Sequence, residues 1–201
     1  MRLDGMSAVV AIRTKTRSEV LILATDLEKK LTENRIILVN GYIDTDAASY
    51  IVFQLLQLSA LSDTEPIQLF IGSYGGNYLD MLAIYDTICS IPNPVTGVGM
   101  GAVSNYAALL LAGCKKGSRF ALRHCTFNIE QPYGTLHAGT NQQTEIAIAS
   151  REVSLEREVM EQLFSLHTGQ EPDRIHYDIE QGLDLTAEQA LEYGLIDSII
   201  D

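Results

Sequence analysis

The sequence predicts an α/β domain built on a parallel β-sheet, and three observations carry that expectation. The strand-length runs RIILVN (35–40), IQLFIG (67–72) and VTGVGM (95–100) are almost wholly apolar. Each is followed by a stretch of helical periodicity, the alternation that parallel sheets require for their crossovers. Strands without a polar face also belong to sheets covered on both sides. A long helical pattern over about 141–166 exceeds what such a domain needs and reads as an arm for oligomerisation.

Along the chain, residues 1–17 show no period and read as an N-terminal arm or hairpin, with the main domain over 18–201. Ser18 to Lys30 is a helix candidate with Ser18 as cap and Lys29-Lys30 near its negative end. After the first strand, Asp44-Thr45-Asp46 open a helix with Ala48, Ile51, Val52, Leu55 and Leu56 on one face. The second strand ends in SYGG, a turn, before a helix from about Tyr78 to Ser90. The third leads into a helix over 103–112, so rich in Ala and Leu that it should be buried all round. RFAL (119–122) and TFNIEQ (126–131) are strands, with a turn around Pro132 and Gly134.

The long helix follows, its apolar stripe marked by Leu155, Val159, Leu163 and Leu166. A helix near Pro172–Ile179 comes next, then one opened by Thr186 with Gln189 three places on, a capping box. IDSII (196–200) is the last strand.

Composition bounds the function. With 46% hydrophobic and 20% charged residues the chain can build a core and is not disordered. A net charge of −12 argues against nucleic acid, whose phosphates need a basic surface. The apolar stretch Ala8 to Ile12 is too short for a secretory signal, and no run approaches the roughly 18 apolar residues of a membrane span. Cys89, Cys114 and Cys125 form no C-x-x-C pair and read as small buried hydrophobes in a reducing cytosol. The expected location is the cytoplasm, or an organelle stroma or matrix in a eukaryote. His124, His137, His167 and His176 show no metal-ligand spacing, and no metal or cofactor is expected.

The segments RIILVNGYID (35–44), IGSYGG (71–76), AIYDTI (83–88), VGMGAVSNYAALLLAG (98–113), QPYG (131–134), TEIAIASREV (144–153), LHTGQ (166–170) and AEQALEYGLIDSII (187–200) stand in an order and spacing that resemble the Clp protease proteolytic subunit (ClpP) family. The resemblance covers residues 18–200. It implies a crotonase-like spiral ββα fold, a seven-membered ring, and a protruding handle helix that reaches toward a second ring. It also implies ClpP-type subunits as partners, in homo- or hetero-heptamers, and a AAA+ unfoldase docking on the ring.

Enzymes of that family cut peptides with a Ser-His-Asp triad. Their serine lies in G-x-A-A-S-M-G, their histidine just before Gln-Pro, and their aspartate shortly before a Ser/Thr-Ala-x-Glu-Ala helix start. Matched without a gap from Ile67 to Gln131, the serine position falls on Asn105 and the histidine position on Glu130; the aspartate position falls on Gly182. An amide is no nucleophile, a carboxylate cannot readily copy an imidazole near neutral pH, and glycine orients nothing. The degenerate triad makes the chain similar to non-catalytic ClpR-type paralogues in general type, though it departs from the plastid and cyanobacterial pattern.

Ser104 is the alternative nucleophile, at the expense of two gaps and with no histidine before Gln131. His124 shares a strand face with Glu130 but would lie roughly 20 Å away, while His137 is nearer in sequence. The oxyanion-hole amides carry over to Gly76 and Tyr106, with Tyr74 where the family has proline. The chaperone-docking pocket keeps apolar Phe70, Val98, Met100, Phe120 and Leu122. Gln68 and Ser90, however, stand at places usually aromatic, so docking should weaken. Gln181-Gly182 replaces the Arg-Asp pair that bridges stacked rings. The resulting reading is a pseudo-peptidase subunit of an ATP-dependent Clp protease. Alternatives are a serine endopeptidase using Ser104, crotonase-type acyl-CoA chemistry with Glu130 as base, and an inactive homo-oligomeric scaffold.

Overall fold

The computed structural model describes residues 27–133 and 142–201. The expected arm at 1–17, the start of the Ser18–Lys30 helix, Gly134 and His137 lie outside these residues. Helix α1 is described over 27–33 and thus runs beyond Lys30. Then come β1 (Ile36–Ile43), α2 (Thr45–Leu61), β2 (Ile67–Gly76), α3 (Tyr78–Ser90), β3 (Val95–Gly99), β4 (Ala102–Ser104) and α4 (Tyr106–Ala112). The remainder is β5 (Arg119–Leu122), β6 (Thr126–Ile129), α5 (Gln143–Thr168), α6 (Pro172–Gln181), β7 (Leu183–Thr186), α7 (Ala187–Tyr193) and β8 (Ser198–Ile200).

Two sheets share the core. The larger is wholly parallel, ordered β1-β2-β3-β5-β8. The smaller, β4-β6-β7, pairs β4 with β6 in parallel and β6 with β7 antiparallel. Consecutive strands β3 and β4, and likewise β5 and β6, divide between the two sheets. The mixed α/β architecture with its parallel sheet is the expected class.

Several elements differ from the sequence expectation, each for a local reason. SYGG is not a turn: it continues β2, paired through Ile43↔Gly76, and β1 lengthens to match. Residues 102–104 are strand rather than helix, because Val103 finds Phe127 as its register partner. The LDLT strand, β7, was not expected; its partner β6 is 54 or more residues away, and no local pattern marks it. The covered-both-sides expectation fails in the single chain. On β1 and β2 burial alternates, with Ile37, Val39, Leu69 and Ile71 sealed while Leu38 and Tyr74 are exposed. Leu56 of α2 is also exposed, and Leu58 takes the buried position expected of it.

Helix α2 is capped as expected: the Asp44 carboxylate accepts the N–H of Ala47 at 2.9 Å. Thr186 likewise accepts the N–H of Gln189 while Gln189 accepts the N–H of Thr186. Helix α4 is the central pillar, with all seven residues buried. It stands so close to β3 that a Cβ on Gly97 would fall 2.5 Å from Leu111. Truncating such a side chain to alanine costs about 2–5 kcal/mol.

Helix α5 has 26 residues, about 39 Å at 1.5 Å each, but sits two residues later than expected. Glu145 accepts the N–H of Gln142 at its start, and Gly169 at φ 77° closes its end. Only its second half is anchored, through Met160 and Phe164. Leu155 and Leu166, expected on the buried stripe, are exposed, as are Ile146 and Ile148.

Candidate functional site at the β4–α4 elbow

The site is built around one residue in an unusual backbone conformation. Asn105 joins β4 to α4 at φ 50°, ψ −119°. Side chains rarely adopt positive φ, and ψ −119° lies outside the left-handed α region that Asn tolerates, so the residue is strained. A strained residue at a strand-to-helix turn projects its side chain from the surface, the geometry of a nucleophile elbow. The backbone is pinned on both sides: Asn105 N–H donates to Asn128 O at 2.7 Å, and Leu109 N–H donates to Asn105 O at 3.1 Å.

The side chain of Asn105 does not cap its own helix. Its carbonyl oxygen instead accepts the backbone N–H of Glu130 at 2.9 Å. Gly182, which ends α6 at φ 76°, lies against the same point, where an added Cβ would stand 4.0 Å from Glu130 Cβ. The three positions that the resemblance aligns with a triad therefore lie together, although 25 and 52 residues separate them in sequence. None carries a hydroxyl or an imidazole.

Ser104 faces elsewhere. It lines a separate concavity with Thr126, Asn128, Asp184, Thr186 and Gln189, and among the described residues no histidine borders it. Among the described residues no hydrogen bond from its hydroxyl is found, so it does not cap α4 either. His124 sits in the turn between β5 and β6 rather than on a strand with Glu130. His167 bonds to the Tyr85 hydroxyl at 2.6 Å, and His176 to Glu161 at 3.0 Å.

Gly76, Asn105, Tyr106 and Glu130 border one cleft of about 470 Å³. Gly76 is required where it stands: a Cβ there would fall 2.0 Å from Ile43 O. Gly75, at φ 95°, brings the end of β2 against Asn105 and Tyr106. The N–H of Tyr106 is in the first turn of α4, where no intrahelical partner exists. Such a backbone donor beside a strained elbow could polarise a carbonyl.

Tyrosines furnish the walls, and of these sequence reasoning singled out only Tyr74 and Tyr106 for the site. Tyr42, Tyr74, Tyr78 and Tyr133 join Tyr106 there. The rings of Tyr78 and Tyr106 meet at 5.6 Å, tilted by 48°. Burial raises the phenol of Tyr106 well above its ordinary range, reinforced by the charge of Glu156. Burial likewise pushes the Glu156 carboxyl up, partly offset by the Tyr106 hydroxyl, which donates to it at 3.5 Å.

The apolar positions matched to a docking pocket lie across the large sheet. Phe70, Val98 and Phe120 are successive register partners, with Leu38 and Ser198 extending the row. Leu122 pairs with Ile200, and Met100 packs against Gly72. Cys89 is exposed, contrary to expectation, whereas burial pushes the thiols of Cys114 and Cys125 up to about 12. Among the described residues no cluster of three or more His, Cys, Asp or Glu could hold a metal. Among the same residues no helix is long and apolar enough to cross a membrane.

The fold and cleft define an α/β protein with a hydrolase-type strand–elbow–helix at its centre. The Clp protease family model matches residues 18–201, and the chain belongs to that family.

Proposed function

We propose that this chain is a non-cleaving, structural or regulatory subunit of a Clp-type assembly, set in a ring beside catalytic subunits. The observation that supports this reading is the Asn105 elbow: the side chain placed where a nucleophile would act is an amide, committed to the N–H of Glu130. Without a hydroxyl, an imidazole and an orienting carboxylate, the two-step acyl transfer of a serine peptidase has neither attacking atom nor proton carrier. The cleft remains.

The alternative nucleophile Ser104 gains no support from the described residues, among which no histidine borders the separate concavity it lines. The exposed first half of α5 and the half-open outer face of the large sheet favour neighbours in an assembly. Other ClpP-type subunits, in one or two heptameric rings in the cytoplasm, are the proposed partners, and a AAA+ unfoldase is a weakened one.

The test is the mass and subunit composition of the assembly isolated from its source, combined with a serine-hydrolase activity probe. A mixed ring in which only the other subunits are labelled is the expected result. Labelling of this chain, or cleavage of casein by the chain alone above background, would overturn the reading.

A further inference from the structure

The cleft beside Asn105 has a chemistry of its own. Five of the chain's nine tyrosines border it, and they differ in exposure. Tyr106 forms the floor at 7%, while Tyr42, Tyr74 and Tyr133 stand at the rim at 63%, 70% and 78%. Glu130 and Glu156 supply two carboxylates, and among the described residues no lysine, arginine or histidine lines the space. Arg157, adjacent to Glu156 in sequence, is engaged with Glu161 at 2.7 Å and with His176. Glu156 itself has no cationic partner among the described residues.

Tyrosine faces attract cations, more strongly where water is excluded. A half-buried carboxylate adds a charge-assisted hydrogen bond, for which a guanidinium or ammonium is the complement. A volume of about 470 Å³ suits one long side chain rather than a folded surface. The exposed rim tyrosines can then lie against the residues that flank it.

We propose that this cleft holds extended polypeptide by an arginine or lysine side chain, seated against the Tyr78–Tyr106 ring pair and the carboxylates of Glu130 and Glu156. The inference rests on the non-cleaving reading, because a cleft that does not cut can retain what it binds.

The test uses the full chain purified without other subunits, in the oligomer it forms by itself, and fluorescent Gly/Ser hexapeptides with one central arginine, lysine, citrulline or norleucine. Anisotropy should show the two cationic peptides binding about tenfold tighter than their neutral counterparts. Glu156→Gln should abolish that preference, while Glu188→Gln, which removes one charge from α7 away from the cleft, should preserve it. Equal affinity for citrulline and arginine peptides overturns the proposal, as does an equal loss in Glu188→Gln, which would reduce the effect to net charge. Mass spectrometry of the same peptides separates the two claims. Intact peptides bound without preference overturn this inference alone, and cleaved peptides overturn the reading beneath it.

Discussion

The carbonyl oxygen of Asn105 accepts the backbone N–H of Glu130 at 2.9 Å, tying the elbow before α4 to the end of β6. A serine at that position regains a hydroxyl but finds no imidazole to accept its proton. Asn105→Ser alone should therefore leave casein cleavage and probe labelling at background. Asn105→Ser combined with Glu130→His should raise labelling measurably above the single variant. Strong labelling of the single variant would show that another base serves the elbow.

Gly182 ends α6 at φ 76°, ψ 107°, a conformation that side chains rarely adopt. Gly182→Ala should cost about 1–2 kcal/mol, and about 2–4 °C in melting temperature per kcal/mol for a chain of this size. Thermal unfolding measures it. The same strain would burden an aspartate at this position.

Arg119 is 3% exposed and its guanidinium is bound by Asp197 and by His167 O. Burial raises the Asp197 carboxyl, but hydrogen bonds from Arg119 and Gly117, with the charge of Arg119, outweigh it and hold the group below its ordinary value. A depressed carboxyl contributes stability above the unfolded pKa, about 3.9, and that contribution is lost as pH falls through the folded pKa. Denaturant titrations should show an acid loss below about pH 4. Asp197→Asn should remove this loss and destabilise by about 3 kcal/mol at neutral pH, because Arg119 is left buried without its counter-charge.

Burial lowers the pKa of His167, aided by the charge of Arg119. Below the unfolded value of about 6.5 the unfolded chain binds the proton more readily, so stability should fall as pH drops through that window. His167→Gln should flatten the slope between about pH 6.5 and 5. It should also cost about 1–3 kcal/mol at neutral pH, since the buried Tyr85 hydroxyl loses the ring nitrogen at 2.6 Å.

The row Leu38–Phe70–Val98–Phe120 crosses the outer face of the large sheet, with polar Gln68 in register beside Thr96. Rings of this chain alone should bind a AAA+ unfoldase weakly. Gln68→Tyr should strengthen binding by about 1–2 kcal/mol through added apolar burial. Equilibrium fluorescence with labelled unfoldase checks both, and undiminished binding by the unaltered chain would refute the first.

The parts of the fold written locally were legible. Asp44 and the Thr186–Gln189 pair act as caps through bonds within four residues. The elements misread were those fixed by distant partners. Ala102–Ser104 is too short for alternation to show, and Leu183–Thr186 carries Asp184 on its exposed side, yet both are strands because β6 lies between them. Leu155 and Leu166 fit a helical stripe as well as Met160 and Phe164 do, and only packing against the body selects between them. At the site, spacing alone could not bring Asn105, Glu130 and Gly182 together. The family resemblance suggested it, while the tyrosine walls came from four separate segments with no shared motif.

Helix α5 divides its 26 residues unequally, with burial confined to its later turns. A solvated helical segment shorter than about 12–15 residues is marginal by itself. In the lone chain, the leading turns therefore draw their persistence from the anchored half alone, and their amides should exchange earliest along the rod. Any neighbour that shields Ile146 and Ile148 would stiffen that end, so assembly and helix length are thermodynamically coupled in a single element.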